Sequence, residues 1–303
     1  MKGALTRLHT AVFIWGFTGV LGRAISLNEG WLVWWRMFIT AISLWILFYF
    51  LGSIRKISLR DFFKIAAVGT VLSLHWLTFY GSIKYANVSI ALTCLSTTGL
   101  LSAVIEPLFF RRRINLYELV LGVFALAGIA LIYATNLSFS TGIYVGLISA
   151  VLTVLVSVMN KKLIDGYAPE TITLYQLTGG FLGLSILMPF YNHLFPSVQS
   201  IPQHFDWLWL IILSWCCTIL TFMLYINALK KVSAFTANLT LTLEPVYGII
   251  LAFIIYHENT TLSHYFFLGF SLILVAVFLQ MFRLIQEQRK LPVTVIVFQY
   301  YKP

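Results

Sequence analysis

Glu244 and Pro245 stand side by side within Ser233 to Tyr256, SAFTANLTLTLEPVYGIILAFIIY, a run otherwise apolar enough to cross a bilayer. A carboxylate at that depth costs about 2.5 kcal/mol or more, so its natural place is a protein-lined or water-lined interior. Pro245 has no N–H to give the carbonyl of Leu241, which bends or breaks the helix there. An interrupted helix carrying Asn238, Thr240, Thr242 and Glu244 is the arrangement that a solute site at the bilayer midplane requires. A kinked packing helix whose Glu is bonded to a neighbour is the alternative reading of the same residues. Asn238 and Thr242 lie opposite Glu244 on an ideal wheel, and only a bend at Pro245 turns them toward one cavity.

His75 is the second ionisable candidate, in Ser73-Leu-His-Trp-Leu-Thr-Phe-Tyr80. An imidazole titrates near neutral pH, so His75 and Glu244 are the two candidates for proton coupling. His75, Thr78 and Phe79 share one helical face, and Trp76, Phe79 and Tyr80 an adjoining one. Such a wall would hold an apolar or aromatic group while His75 fixes a polar one; a histidine tied to a neighbouring helix, with the aromatics as packing, is the competing account. Trp15, Thr98, Gln176 and Tyr247 complete the candidate substrate-binding set. Arg36 follows Trp34-Trp35 and reads as a headgroup anchor or as a contact for a substrate carboxylate. No G-x-x-x-x-G-K phosphate loop occurs, and Cys94, Cys216 and Cys217 fall within apolar runs as expected core residues. Neither a catalytic residue nor a metal or other cofactor is expected.

These residues need a membrane fold to position them. The chain has 303 residues, of which 60% are hydrophobic and 10% charged, a composition that excludes a soluble domain. Ten runs are long enough to span a hydrocarbon core: Leu8–Leu27, Trp31–Leu51, Phe62–Tyr80, Val88–Phe110, Leu116–Tyr133, Ile143–Leu163, Thr171–Phe190, Trp207–Leu229, Ser233–Tyr256 and Tyr265–Phe282. The expected fold class is therefore an all-α polytopic membrane protein with ten transmembrane helices. With both ends on one side, all but Arg23, Arg36 and Lys84 of the 20 Lys and Arg residues fall on that side, which places both termini in the cytoplasm. The net charge of +10 is a topology signal and an attraction to anionic lipid, without the basic domain that nucleic-acid binding needs. The first run resembles a secretory signal only superficially, since cleavage after it would spoil the charge pattern.

A weak internal repeat divides the chain. Ser82-Ile-Lys-Tyr-Ala-Asn87 recurs as Ala228-Leu-Lys-Lys-Val-Ser233 at an offset of 146, each copy standing just before a polar-rich run. Five runs separate the copies, an odd number, so the second half is inverted. The halves are residues 1–140 and 141–290, with a short tail, 291–303, to which we assign no function. Gln176 then falls where Arg36 stands in the first half, at an offset of 140.

Together, the ten runs, Tyr80-Gly-Ser-Ile-Lys-Tyr85, Tyr225-Ile-Asn-Ala-Leu-Lys230, Leu243-Glu-Pro-Val246, and Glu258 before a glycine-bearing last run resemble the drug/metabolite transporter superfamily, specifically the EamA-type ten-helix permeases. The resemblance spans Leu8 to Phe282. It implies two inverted five-helix repeats and export or exchange of small metabolites, amino-acid-like or otherwise amphipathic, through a central cavity without ATP. Two positions depart from the pattern: Thr98-Gly99 stands where members often carry proline, and Arg112 stands opposite Glu258, where a Glu is usual. Glu106 reads as an interfacial salt-bridge residue near Arg111 to Arg113. The expected setting is the inner, cytoplasmic membrane, as a monomer or homodimer. A membrane enzyme or lipid-modifying protein is the alternative class, and it would gather acids and histidines at the surface, where only Asp165, Glu170, Asp206, His257 and Glu258 are scattered.

Overall fold

The computed structural model describes residues 2–111, 116–135, 137–164, 166–229 and 243–290. Twelve α-helices carry the described chain: α1 (Lys2–Ala24), α2 (Glu29–Phe50), α3 (Leu59–Tyr85), α4 (Val88–Ser96), α5 (Thr98–Phe110), α6 (Leu116–Thr135), α7 (Ser140–Ile164), α8 (Pro169–Leu194), α9 (Asp206–Ser214), α10 (Thr221–Leu229), α11 (Glu244–Tyr256) and α12 (His264–Lys290). The helices begin at polar punctuation between apolar runs. Asn28 accepts the Trp31 N–H at 2.9 Å, Ser58 the Asp61 N–H at 3.1 Å, and Asn87 the Ile90 N–H at 2.8 Å, each capping a helix N-terminus.

Six helical stretches are long and apolar enough to cross a membrane: Gly3–Ala24, Glu29–Phe50, Leu59–Tyr85, Leu137–Ile164, Pro169–Leu194 and Asp206–Tyr225. A seventh counts if Val88–Phe110 is one span bent by 42°. Pro107 lies within it and cannot donate to the carbonyl of Ala103, which accounts for the bend. Of the ten expected runs, the other three contain shorter apolar helices among the described residues, Val120–Thr135, Glu244–Tyr256 and His264–Leu279. Side chains such as Ile46, Phe50, Ile186, Phe190 and Ile254 are exposed on the outside of the bundle, as a lipid-facing surface requires.

α3 lies at the centre and packs against α7 and α8, α1 packs against α10 and α11, and α6 pairs with α12. Glycines set several of these approaches. A Cβ on Gly69 of α3 would sit 1.9 Å from the Gln176 carbonyl of α8, and one on Gly128 of α6 would sit 2.6 Å from the Gly269 carbonyl of α12. Only hydrogen fits at such crossings.

Three details differ from the linear reading. Pro245 is not interior to a helix but in the first turn of α11, where its missing N–H costs nothing. Cys94 and Cys217 are buried, but Cys216 is exposed on the bundle surface. Glu106 is the expected salt-bridge residue, but its partner among the described residues is Lys161 of α7, at 3.5 Å. Arg112, Arg113, Asp165, Lys230, Lys231, Asn238, Thr240, Thr242 and the tail after Lys290 lie outside the described residues.

Candidate functional site

Arg36 sits in the second turn of α2, where the sequence reads as a membrane-interface belt, yet it is only 3% exposed. Its guanidinium lies 3.9 Å above the ring of Trp76 of α3, a cation–π contact. Nη1 donates to the hydroxyl of Tyr80 at 2.6 Å, and Nε and Nη2 donate to the hydroxyl of Thr218 at 3.2 and 2.9 Å. The backbone joins in, since Ser214 donates to the Arg36 carbonyl at 3.1 Å. Arg36 is thus no headgroup anchor. It is a buried cation, and no carboxylate among the described residues comes within ion-pair distance of it.

Thr218 reaches Arg36 because the helix between α9 and α10 widens into a π segment, Trp215–Leu220. Its hydroxyl donates to the Leu213 carbonyl, five residues back, at 2.8 Å and is left to accept from Arg36. Such π segments recur at functional sites because they re-aim side chains and carbonyls. Trp15 of α1 uses the same segment, donating its Nε1 to the Cys217 carbonyl at 3.1 Å while its ring packs on Phe222 and Tyr225.

Other expected residues join this cluster to different degrees. Phe79 lies edge-on to Tyr80 and near the His75 ring. His75 is fastened to α7: its Nδ1 lies 2.9 Å from the Ser149 hydroxyl, 2.8 Å from the Thr153 hydroxyl and 3.1 Å from the Ser149 carbonyl. That geometry is the helix-to-helix tie, with the imidazole held between α3 and α7. Glu244 is the first residue of α11, where a carboxylate suits the positive end of the helix dipole. Glu244 does not come within ion-pair distance of Arg36. Tyr247, one turn beyond Glu244, packs on Gly16 and Phe13 of α1.

Thr98 and Gln176 are not joined to the cluster by any hydrogen bond. Thr98 opens α5, and Gln176 is buried where α8 crosses α3 at Gly69. Asn238 and Thr242 lie outside the described residues. Arg36 and Thr218 are the members that motif reading left out of the binding set. The one available signal was Arg36 itself, an arginine seven residues into an apolar helix.

The two ends of the bundle differ. At the end away from the chain termini, three buried carboxylates tie the halves together. Glu258, 2% exposed, accepts from Arg23 of α1, from the Val88 and Ser89 N–H groups at 3.0 and 2.8 Å, and from the Ser89 hydroxyl at 2.5 Å. Asp206 accepts from the Ser26 N–H at 2.8 Å and the Ser26 hydroxyl at 2.5 Å. Glu29 accepts from Tyr85 at 2.7 Å and Tyr191 at 2.5 Å. At the termini end, ties among the described residues include Lys161 to Glu106, with side chains 52% and 35% exposed, Tyr167 to Asp61, and Tyr175 to the Arg55 carbonyl. A cavity of about 60 Å³ lies on that side, lined by Leu44, Phe48, Thr173, Ile219 and Phe222 among others, and Ile219 directly follows Thr218. It holds a water or two, far below the roughly 300 Å³ of a small-molecule pocket, and a more open cavity of about 410 Å³ lies at the far end, lined by Ser26, Asn28, Glu29, Lys84 and Gln199 among others.

Comparison with known proteins places this architecture. The chain is 24% identical over 256 residues to the uncharacterized transporter YxxF of Bacillus subtilis (strain 168), covering 82% of this chain and 80% of that one. A crystal structure 16% identical in sequence superposes with a TM-score of 0.61 over 96% of this chain and all of that one, a likeness of fold. The model of the EamA-like transporter family matches twice, over residues 3–134 and 140–282. With almost the whole length matched, one copy to each half, this membrane protein belongs to the EamA-like transporter family.

Proposed function

We propose that the chain is a secondary transporter that moves small amphipathic metabolites, amino-acid-like among them, across the cytoplasmic membrane, by export or exchange and without ATP. The two halves, 1–140 and 141–290, would rock about the Arg36 cluster, with both termini in the cytoplasm. The observation that carries this reading is the asymmetry of closure around a central polar group. Among the described residues, three buried carboxylates bridge the halves at the far end, contacts such as Lys161 to Glu106 at the opposite end are more exposed, and between them sits a buried cation on an aromatic wall. A protein sealed more firmly on one side of a site is what alternating access requires of one of its states. The membrane-enzyme alternative needs accessible surface acids, whereas Asp206 and Glu258 are buried within the far-end ties.

The test is flux. Purified protein in liposomes preloaded with a mixture of amino acids and small organic acids is expected to exchange one or more of them for labelled external solute, with no ATP present. No exchange above protein-free liposomes, with the protein shown to be inserted and folded, would remove the reading.

A further inference from the structure

We propose that Arg36 anchors a carboxylate of the transported solute and that the solute class is small carboxylates bearing an apolar or aromatic portion. This rests on the transporter reading and adds the substrate chemistry to it.

A guanidinium has five N–H donors and no acceptor. In this site Nε and one hydrogen from each terminal nitrogen are used on Tyr80 and Thr218, which leaves one N–H on Nη1 and one on Nη2 without a partner among the described residues. That remaining pair suits a planar carboxylate, which accepts from two guanidinium nitrogens at once. The neighbours that hold Arg36 are hydroxyls and an indole face, all neutral. They orient the cation without neutralising it, and a buried cation without a counter-ion is costly. Had the group served packing alone, an apolar side chain or a fixed ion pair would fill the place at lower cost.

The neighbours suggest the rest of the molecule: Trp76 stands beneath the guanidinium, Tyr80 and Phe79 beside it and Trp15 across the π segment, so a solute reaching Arg36 meets aromatic side chains.

The experiment uses the purified full chain and compares phenylacetate and 4-methylpentanoate with phenylacetamide and phenethylamine as probes. Binding is read by thermal shift and by tryptophan fluorescence, which Trp76 reports. The acids are expected to stabilise the protein and change its emission, and the amide and amine are not. Arg36→Lys, which keeps the charge but loses the fork, should weaken acid binding about tenfold or more. Equal response to amine or amide, no response to any acid at millimolar concentration, or wild-type acid affinity in folded Arg36→Lys would each overturn the proposal. Flux of amines but not acids would leave the transporter reading standing and sink this one. Acid binding that is weakened by Arg36→Lys, without flux of any solute, would do the reverse.

Discussion

A single methyl group on Gly22 tests the geometry of the site most directly. α1 passes Tyr80 so closely that a Cβ at this position would lie 2.1 Å from Cε1 and 2.4 Å from Cδ1 of the ring. Carbon atoms rest about 3.5–4 Å apart, so the ring or the helix has to move by more than about 1 Å. The ring has no free space to move into, being wholly buried, and its hydroxyl receives the Arg36 N–H at 2.6 Å. A further 1 Å or so takes that contact past hydrogen-bonding range. Overpacking costs about 1–3 kcal/mol. Loss of a hydrogen bond to a charged group adds about 1.5–3 kcal/mol, so Gly22→Ala should destabilise by about 2.5–6 kcal/mol in total. The assay is thermal unfolding of the purified protein together with flux in liposomes, and both are expected to fall. Gly122→Ala is the control, because a Cβ there meets nothing within 4 Å and should leave both unchanged. Gly22→Ala combined with Tyr80→Ala should recover part of the stability but not the flux, since the clash is gone and Arg36 still lacks its partner. Wild-type stability and flux in Gly22→Ala would refute the packing of α1 on Tyr80.

Two further outcomes are expected. Glu258→Gln leaves at least one of the Val88 and Ser89 N–H groups facing an amide donor, a loss of about 1–3 kcal/mol. The Arg23 contact adds less because that side chain is 39% exposed and solvent screens it. The far end should open more often, read as faster labelling of the buried Cys217 thiol by an impermeant maleimide in a Cys94→Ser, Cys216→Ser background; an unchanged rate would mean that Glu258 does not hold that end shut. Trp76→Ala should lower flux with a modest loss of stability, whereas His75→Ala should lower stability by about 1–3 kcal/mol because it unties α3 from α7. If His75→Ala keeps the wild-type melting temperature and loses flux, His75 acts on the solute or its proton and is more than a tie.

Much of the fold was legible because membrane insertion penalises charge and unpaired backbone, so spans and their ends are written in hydropathy, caps and prolines. Asn28, Ser58 and Asn87 mark helix starts that the chain then uses. The site was less legible because its central group depends on contacts remote in sequence. Trp34-Trp35-Arg36 reads locally as an interface belt, and only Thr218, 182 residues away, and Tyr80, 44 residues away, show the arginine to be buried. The π segment WCCTIL carries no motif, being one more apolar stretch until its hydrogen bonds are seen. Glu258 likewise looks like a loop acid until Arg23, 235 residues earlier, is placed against it.

α1 connects these distant parts. On one helix it carries Gly16 against Tyr247, Trp15 against the π segment, Gly22 against Tyr80, and Arg23 against Glu258. Gly22 and Arg23 are adjacent, so the contact that closes the far end and the contact that holds the ring bonded to Arg36 cannot move independently. If the far end opens, α1 shifts at Arg23, and the ring of Tyr80 loses the wall that fixes it on Arg36. Opening and solute release would then be one event. The expectation is energetic coupling between the two positions. Stabilities of Gly22→Ala, Glu258→Gln and the double variant should fail to add by more than about 0.5 kcal/mol, because the first change already displaces the helix that the second sets free. Additive values would mean that α1 yields at one contact without disturbing the other, and the far end and the site would have to be linked through another helix.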